Sequence, residues 1–209
     1  LAVTPWHPML RAQPTIRKTG TGPTKRADGS RIDRRACAIT AAEWVPLSEC
    51  QVGDRLGVAI DYQDGQPCGH TTNELFLLGV LLGDGGLTSR SGVKLTIGNE
   101  AVLNAVREAL PDGCTIQKVG ASKYDYALTG NGTVGGNWAI NFIRGLHLNG
   151  TSSHTKFIPA QFLGATKTEI ASLLSGLFVT DGWVDNNYVG YCSVSEQLLD
   201  GVQSLLLRL

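Results

Sequence analysis

From Glu74 to Leu82 the chain offers no polar face. Leu75, Leu77, Leu78, Val80, Leu81 and Leu82 point all round a helix, so a helix here is buried on nearly every side. Gly79 and Gly83 stand four apart within the run. Both are weak helix formers, and the face they share lets another backbone come close. Asp84, Gly85 and Gly86 follow. A glycine after the last periodic residue stops a helix. An acid at the negative end of the helix dipole is misplaced unless a cation balances it, which makes Asp84 a candidate functional acid.

The pattern returns. Leu173 to Trp183 sets Leu174 on Leu77, Gly176 on Gly79, Thr180 on Gly83, Asp181 on Asp84 and Gly182 on Gly85. Gly79, Gly83, Gly176 and Thr180 are thus the expected interface between two helices. Alternation typical of a strand follows each run, at 92–97 and again at 188–194. An amphipathic helix comes next in both places, beginning at Asn99 and at Ser195. This is an internal duplication at domain spacing, too long for a solenoid. Residues 115–119 and 124–129 also alternate as strands, and 138–146 fits a helix ending at Gly145. Residues 69–160 are therefore expected to form one helix-strand-strand-helix-strand-strand-helix repeat, and 161–209 an incomplete second one. Its last leucines, Leu205 to Leu207 and Leu209, are expected to expose apolar surface.

Ahead of the duplication, residues 1–68 read differently. A strand at the start runs into Pro5-Trp6-His7-Pro8. Between Arg11 and Ala42, prolines and glycines mix with a cluster that includes Arg17, Lys18, Lys25, Arg26 and Arg31, which reads as a mobile, solvated basic loop. Tyr62 to Thr72, with Gly65, Pro67 and Gly69, reads as a linker.

Composition adds limits. Formal charge is balanced over the 209 residues, which argues against a uniformly cationic binder but not against local basic patches. Cys37, Cys50, Cys68, Cys114 and Cys192 are odd in number and widely spaced, so a reducing, cytoplasmic setting without structural zinc is expected. No signal peptide is visible, and the apolar run is too short to span a bilayer. Asn131-Gly132-Thr133 and Asn149-Gly150-Thr151 fit a glycosylation pattern, though each is expected to mark a turn.

The two Leu-x-Gly-rich segments ending at Asp84 and Asp181 resemble the paired motifs of LAGLIDADG (dodecapeptide, DOD-type) homing endonucleases, over about two thirds of the chain. The upstream part resembles the splicing (Hint) domain of inteins, in which such nucleases are commonly inserted. Its Val3-Thr4-Pro5-Trp6-His7-Pro8 is similar to the Thr-x-x-His block, and 43–58 to a later segment. The implied architecture is α+β: a partial all-β Hint domain, then a pseudo-two-fold nuclease of αββαββα repeats, the second truncated.

What the resemblance implies is specific. Site-specific hydrolysis of double-stranded DNA is the expected activity, with protein splicing in the parent molecule. Asp84 and Asp181 are the expected catalytic and metal-binding acids, with the carbonyls of Gly83 and Thr180 beside them and Mg2+ or Mn2+ as cofactor. Lys156, in Lys156-Phe157-Ile158-Pro159, falls where the family often has a catalytic lysine; a surface lysine before a helix is the other reading. Thr4 and His7 are the expected splicing residues. The chain has no cysteine at its first position and no terminal His-Asn pair, so it reads as a fragment that does not splice alone.

One face of the first repeat's sheet is expected to meet DNA through Lys94, Thr96, Gln117, Lys118, Ser122, Lys123, Tyr124 and Tyr126. The expected partners are a double-stranded target site and the flanking host segments, for a chain that is monomeric and free of membranes. Two alternatives stay open. One is a LAGLIDADG-derived binder, regulator or RNA maturase that does not cut. The other is an inert fragment.

Overall fold

The computed structural model describes residues 5–18, 35–57, 63–130, 137–186 and 188–209. Thr4, residues 19–34 of the basic segment, Val58, Tyr62 and Asn131-Gly132-Thr133 lie outside them. The chain is α+β and divides into two compact units, Leu1–Ala59 and Ile60–Leu209.

The first unit is built of short strands. β1 (Pro8–Ala12) is the centre of a three-stranded antiparallel sheet, and β2 (Pro14–Lys18) pairs with β3 (Arg35–Ile39) as a separate hairpin. β4 (Glu43–Pro46) and β5 (Arg55–Leu56) flank β1. Residues 11–12, 14–18 and 35–39 of the segment expected as a loop are therefore strand, while the expectation for 19–34 falls outside the described residues. Pro14 is tolerated because it is the first residue of its strand, where a missing N–H costs little. Arg11 ties the sheet together: its guanidinium donates to the Glu43 carboxylate at 2.5 Å and to the Glu49 carbonyl at 2.9 Å. His7 is exposed ahead of β1, and its carbonyl accepts from Leu47 N at 2.8 Å.

The second unit is organised by two helices, α1 (Thr72–Asp84) and α4 (Lys167–Asp181). Each begins with a reciprocal capping box, Thr71 with Glu74 and Thr166 with Glu169. A box satisfies two of the N–H groups that a helix start leaves unpaired. Apolar residues on nearly every side leave α1 buried in the core, where Leu78, Val80 and Leu81 have no exposure; α4 buries the face that carries Leu173, Leu174 and Leu177 and leaves Ala171, Ser175 and Val179 exposed.

Between them run β6 (Gly85–Gly86), β7 (Val93–Thr96), α2 (Glu100–Ala109), β8 (Cys114–Lys118), β9 (Asp125–Gly130) and α3 (Trp138–Gly145). This completes one αββαββα repeat, with its strands in the order β6-β7-β9-β8. After α4 the chain repeats only the first half: β10 (Gly182–Asp185), β11 (Tyr188–Tyr191) and α5 (Glu196–Leu206). Leu205 is fully buried, against expectation, because it faces the core with Leu198 and Val202; Leu206, Leu207 and Leu209 are exposed. Trp183, Val184, Tyr188 and Val189 on the β10–β11 hairpin are exposed as well.

Residues 63–68, expected to close the first domain, belong to the second unit. Asp64 accepts from Lys167 N at 2.7 Å, Gln66 N donates to the Gly164 carbonyl, and Cys68 N donates to Glu169 at 3.0 Å. The expected linker is thus fastened to the start of α4. Asn149 marks a turn, as expected, with Gly150 at φ +93° and the Asn149 amide donating to the Ser89 carbonyl at 3.0 Å. No helix among the described residues is long and apolar enough to cross a membrane.

Candidate active site

α1 and α4 lie backbone to backbone. A Cβ on Gly176 would stand 2.9 Å from Gly79 Cα and from Val80 N, and one on Gly79 would stand 2.7 Å from Leu177 N. Real Cβ atoms do not sit that close to backbone, so glycine is the residue type that the crossing admits. One turn further on, a Cβ on Gly83 would stand 2.7 Å from Thr180 Cβ and 3.1 Å from Asp181 Oδ2. The four expected interface positions therefore meet. Because both helices stop at the same level, the meeting also brings Asp84 and Asp181 together at their ends.

Lys156 completes the cluster. It is only 5% exposed, and its ammonium donates to the Gly83 carbonyl at 2.7 Å. The reading of Lys156 as a surface lysine is thereby overturned: the ammonium balances the two acids at the negative helix ends. Ser195, which caps α5, holds it in place: the buried Ser195 hydroxyl donates to the Lys156 carbonyl at 2.6 Å. The Gly83 carbonyl is thus already engaged by the Lys156 ammonium. Thr180 spends its hydroxyl on its own helix, donating to the Leu177 carbonyl at 2.7 Å.

The electrostatics are those of a strained cluster. Burial raises both carboxyls above the usual range, the charge of Asp181 raises Asp84 further, and Lys156 lowers both. Burial lowers the Lys156 ammonium, while the two acids raise it. For a carboxyl raised on folding, the folded state holds its proton longer than the unfolded chain. Its stabilising share is complete below the ordinary value of 3.8 and is lost as pH rises through the raised one. Thermal unfolding of the metal-free protein is therefore expected to show a contribution to the midpoint that is lost as pH rises above the ordinary carboxylate range. Asp84→Asn should flatten that loss, and an identical slope in the variant would contradict the assignment.

Two clefts open on the cluster and share Gly83, Ser153 and Lys156. One of about 440 Å³ is lined by Asp84, Gly86, Lys94 and Thr96. The other, of about 320 Å³, is lined by Asp181, Cys192 and Val194. The donors suit a hard divalent cation, which prefers oxygen and typically takes one or two carboxylates. Among the described residues no group of three or more His, Cys, Asp or Glu side chains exists to hold a metal. Asp84 and Asp181 are the carboxylates the site offers.

The expected DNA-facing residues are divided by the sheet register. Val93, Leu95 and Leu128 turn inward, and Lys94, Thr96 and Gln117 fall on the opposite, outward face. Thr96 donates to Asp125 at 3.2 Å there. Tyr126 pairs with Leu95 and with Lys118. Tyr126 and Lys118 therefore belong to the core-side face, and Tyr126 is partly buried against the core. Lys123 and Tyr124 line a cleft with Arg107 of α2, on the helix side of the sheet, with the Lys123 ammonium 5.5 Å from the Tyr124 ring centroid. Ser122 accepts from Tyr124 N at 3.2 Å. The face that continues from the acids is thus Lys94, Thr96 and Gln117.

Residues that the sequence did not single out also reach the site: Ser153, Ser195, Cys192 and Tyr191. Ser195 carries the signal of a helix-capping serine, whereas Ser153, Cys192 and Tyr191 are brought to the site only by the fold. No curated protein matches this chain. Residues 168–209, which hold α4 with Asp181, the β10–β11 hairpin and α5, match the family described as a LAGLIDADG-like domain.

Proposed function

We propose that this chain is the nuclease part of an intein, cutting double-stranded DNA at a specific site, with the first unit belonging to the splicing domain of the parent protein. The observation that carries the nuclease reading is the pairing of Asp84 and Asp181 around the buried Lys156 at the ends of two close-packed helices. A merely structural helix pair gains nothing from burying two acids and a lysine, since buried charges are costly. A phosphodiester site gains from all three.

Lys94, Thr96 and Gln117 provide one cation and two hydrogen-bonding groups on the outward sheet face, suited to phosphates and base edges of a major groove. They seat the duplex so that a phosphate reaches the acids. Lys156 stabilises the charge that grows on that phosphate in the transition state. Asp84 and Asp181 would hold Mg2+ or Mn2+, which when bound supplies a nucleophilic water and neutralises the leaving oxygen. The carbonyls of Thr180 and Gly83 are further ligand candidates, the second already engaged by Lys156.

For the first unit, the support is that its two intein-like segments are neighbours: β1, following His7, pairs with β4, and Ser48 N donates to the Pro5 carbonyl at 2.9 Å. His7 is the proposed group at the upstream splice junction, acting on host segments in the precursor, and Thr4, outside the described residues, is proposed as its hydrogen-bonding partner.

The test is nicking of a plasmid library that carries candidate insertion sites, by purified protein. The expected result is cutting at a defined sequence with Mg2+ or Mn2+ and none with EDTA. Sequence-specific binding without cutting under either metal would replace this reading with that of a regulator or maturase.

A further inference from the structure

The two repeats differ at a position paired across the strands with the glycine that follows each acid. In the first, Gly85 directly follows Asp84 and pairs with Leu95 across β6–β7. In the second, Gly182 directly follows Asp181 and pairs with Tyr191 across β10–β11. Leu95 and Tyr191 are therefore counterparts. Leu95 is 1% exposed and needs no polar partner. Tyr191 packs its ring on Phe178 of α4, with centroids 5.3 Å apart. Its hydroxyl is buried, and no described residue hydrogen-bonds to it.

An unpaired buried hydroxyl is a defect unless another state of the protein supplies its partner. The surroundings name that partner. A phenol is protonated near neutral pH, so the Tyr191 hydroxyl is a donor in want of an acceptor. Neither carboxylate accepts a hydrogen bond from a described residue. Cys192, the next residue, already ties this strand to the end of α4, its N–H donating to the Asp181 carbonyl at 3.4 Å. An open donor and an open acceptor thus share one corner of the site, on the second repeat alone.

We infer that Tyr191 is a positioning residue for Asp181: its hydroxyl donates to that carboxylate, directly or through one water, when the site is loaded. The orientation of Asp181 is then fixed by a group that Asp84 lacks, so the two acids are not equivalent. The inference rests on the nuclease reading for its purpose, but the contact itself is a property of the metal-bound protein with or without DNA.

The test compares wild-type protein with Tyr191→Phe and, as a control for the ring, Tyr191→Leu, which restores the residue of the other repeat. Mn2+ binding is followed by loss of the free-ion paramagnetic signal, thermal midpoints are taken in EDTA, and kcat and KM are taken on the cognate site. Tyr191→Phe is expected to weaken Mn2+ binding about 10- to 100-fold, the range for groups that orient metal ligands. It should lower kcat with little change in KM, and leave the metal-free midpoint equal or higher. Equal Mn2+ affinity in wild type and Tyr191→Phe would overturn the inference. A drop in the metal-free midpoint would overturn it too, since the hydroxyl would then be an ordinary structural bond. Wild-type protein that binds Mn2+ but cuts no DNA would sink the nuclease reading instead, and the binding comparison would still decide on Tyr191.

Discussion

Asp181→Asn and Asp84→Asn are each expected to reduce DNA cleavage at least about 100-fold, while DNA binding changes little. The size follows from the cost of removing a group aimed at transition-state charge, which reaches 100- to 1,000-fold even for a neutral donor. Asparagine keeps the shape of the side chain and loses the charge that a divalent ion needs. The same substitutions should help the fold when no metal is present. Both carboxyls are raised by burial, and Asp84 further by its neighbour's charge, so a neutral amide relieves a cost that the native site carries at neutral pH. Loss of function with a gain in metal-free stability is the signature of a site held under strain for chemistry. It is read by plasmid cleavage, by DNA-binding titration and by thermal unfolding in EDTA. Cleavage by both variants at the wild-type rate would remove these residues from the mechanism.

Gly79→Ala is expected to destabilise the protein by about 1–3 kcal/mol, the cost of overpacking a filled interface. Helix propensity alone predicts a gain of up to about 1 kcal/mol for the same change, so the two effects have opposite signs. The geometry decides between them. The added methyl would stand 2.7 Å from Leu177 N and 2.8 Å from Gly176 C. These are backbone atoms of a buried helix, which cannot turn aside as the end of a flexible side chain can. The helices must separate, and their ends carry Asp84 and Asp181 apart with them. Urea unfolding measures the loss, and cleavage should fall with it. A measured gain in stability would show that the helices do not touch at Gly79.

The helix pair was legible in the sequence because duplication set small residues, leucines and an acid in the same order twice. The capping boxes were legible in principle, but Thr71 precedes its acid by a different count from Thr166. Alignment on the acids therefore hides them. α2, α3, β7, β8 and β9 follow the expected periodicities closely. The two-residue β6 has no periodicity to show, and the charges around Pro14 and Arg35 outweighed the pairing of β2 with β3.

Which side of a strand meets the core was not legible. Tyr124-Asp125-Tyr126-Ala127-Leu128 alternates either way, and a slip of one residue reverses every side chain. Only the pairing of Tyr126 with Leu95 and of Leu128 with Val93 sets the faces, and that moves Tyr126 and Lys118 away from the expected DNA side. Lys156 was ambiguous for a related reason. Its burial depends on acids and a carbonyl that are distant in the chain, and a lysine before an apolar run looks the same on a surface.

The central claim is that Asp84 and Asp181 together hold a divalent cation where DNA is cut. Anomalous scattering from crystals of the protein grown with Mn2+ tests it without reference to rate or target. The account predicts a peak in direct coordination with both carboxylates, at roughly 2 Å, and its loss in crystals of the Asp84→Asn, Asp181→Asn double variant. A manganese bound elsewhere, or one that persists in the double variant, would contradict it.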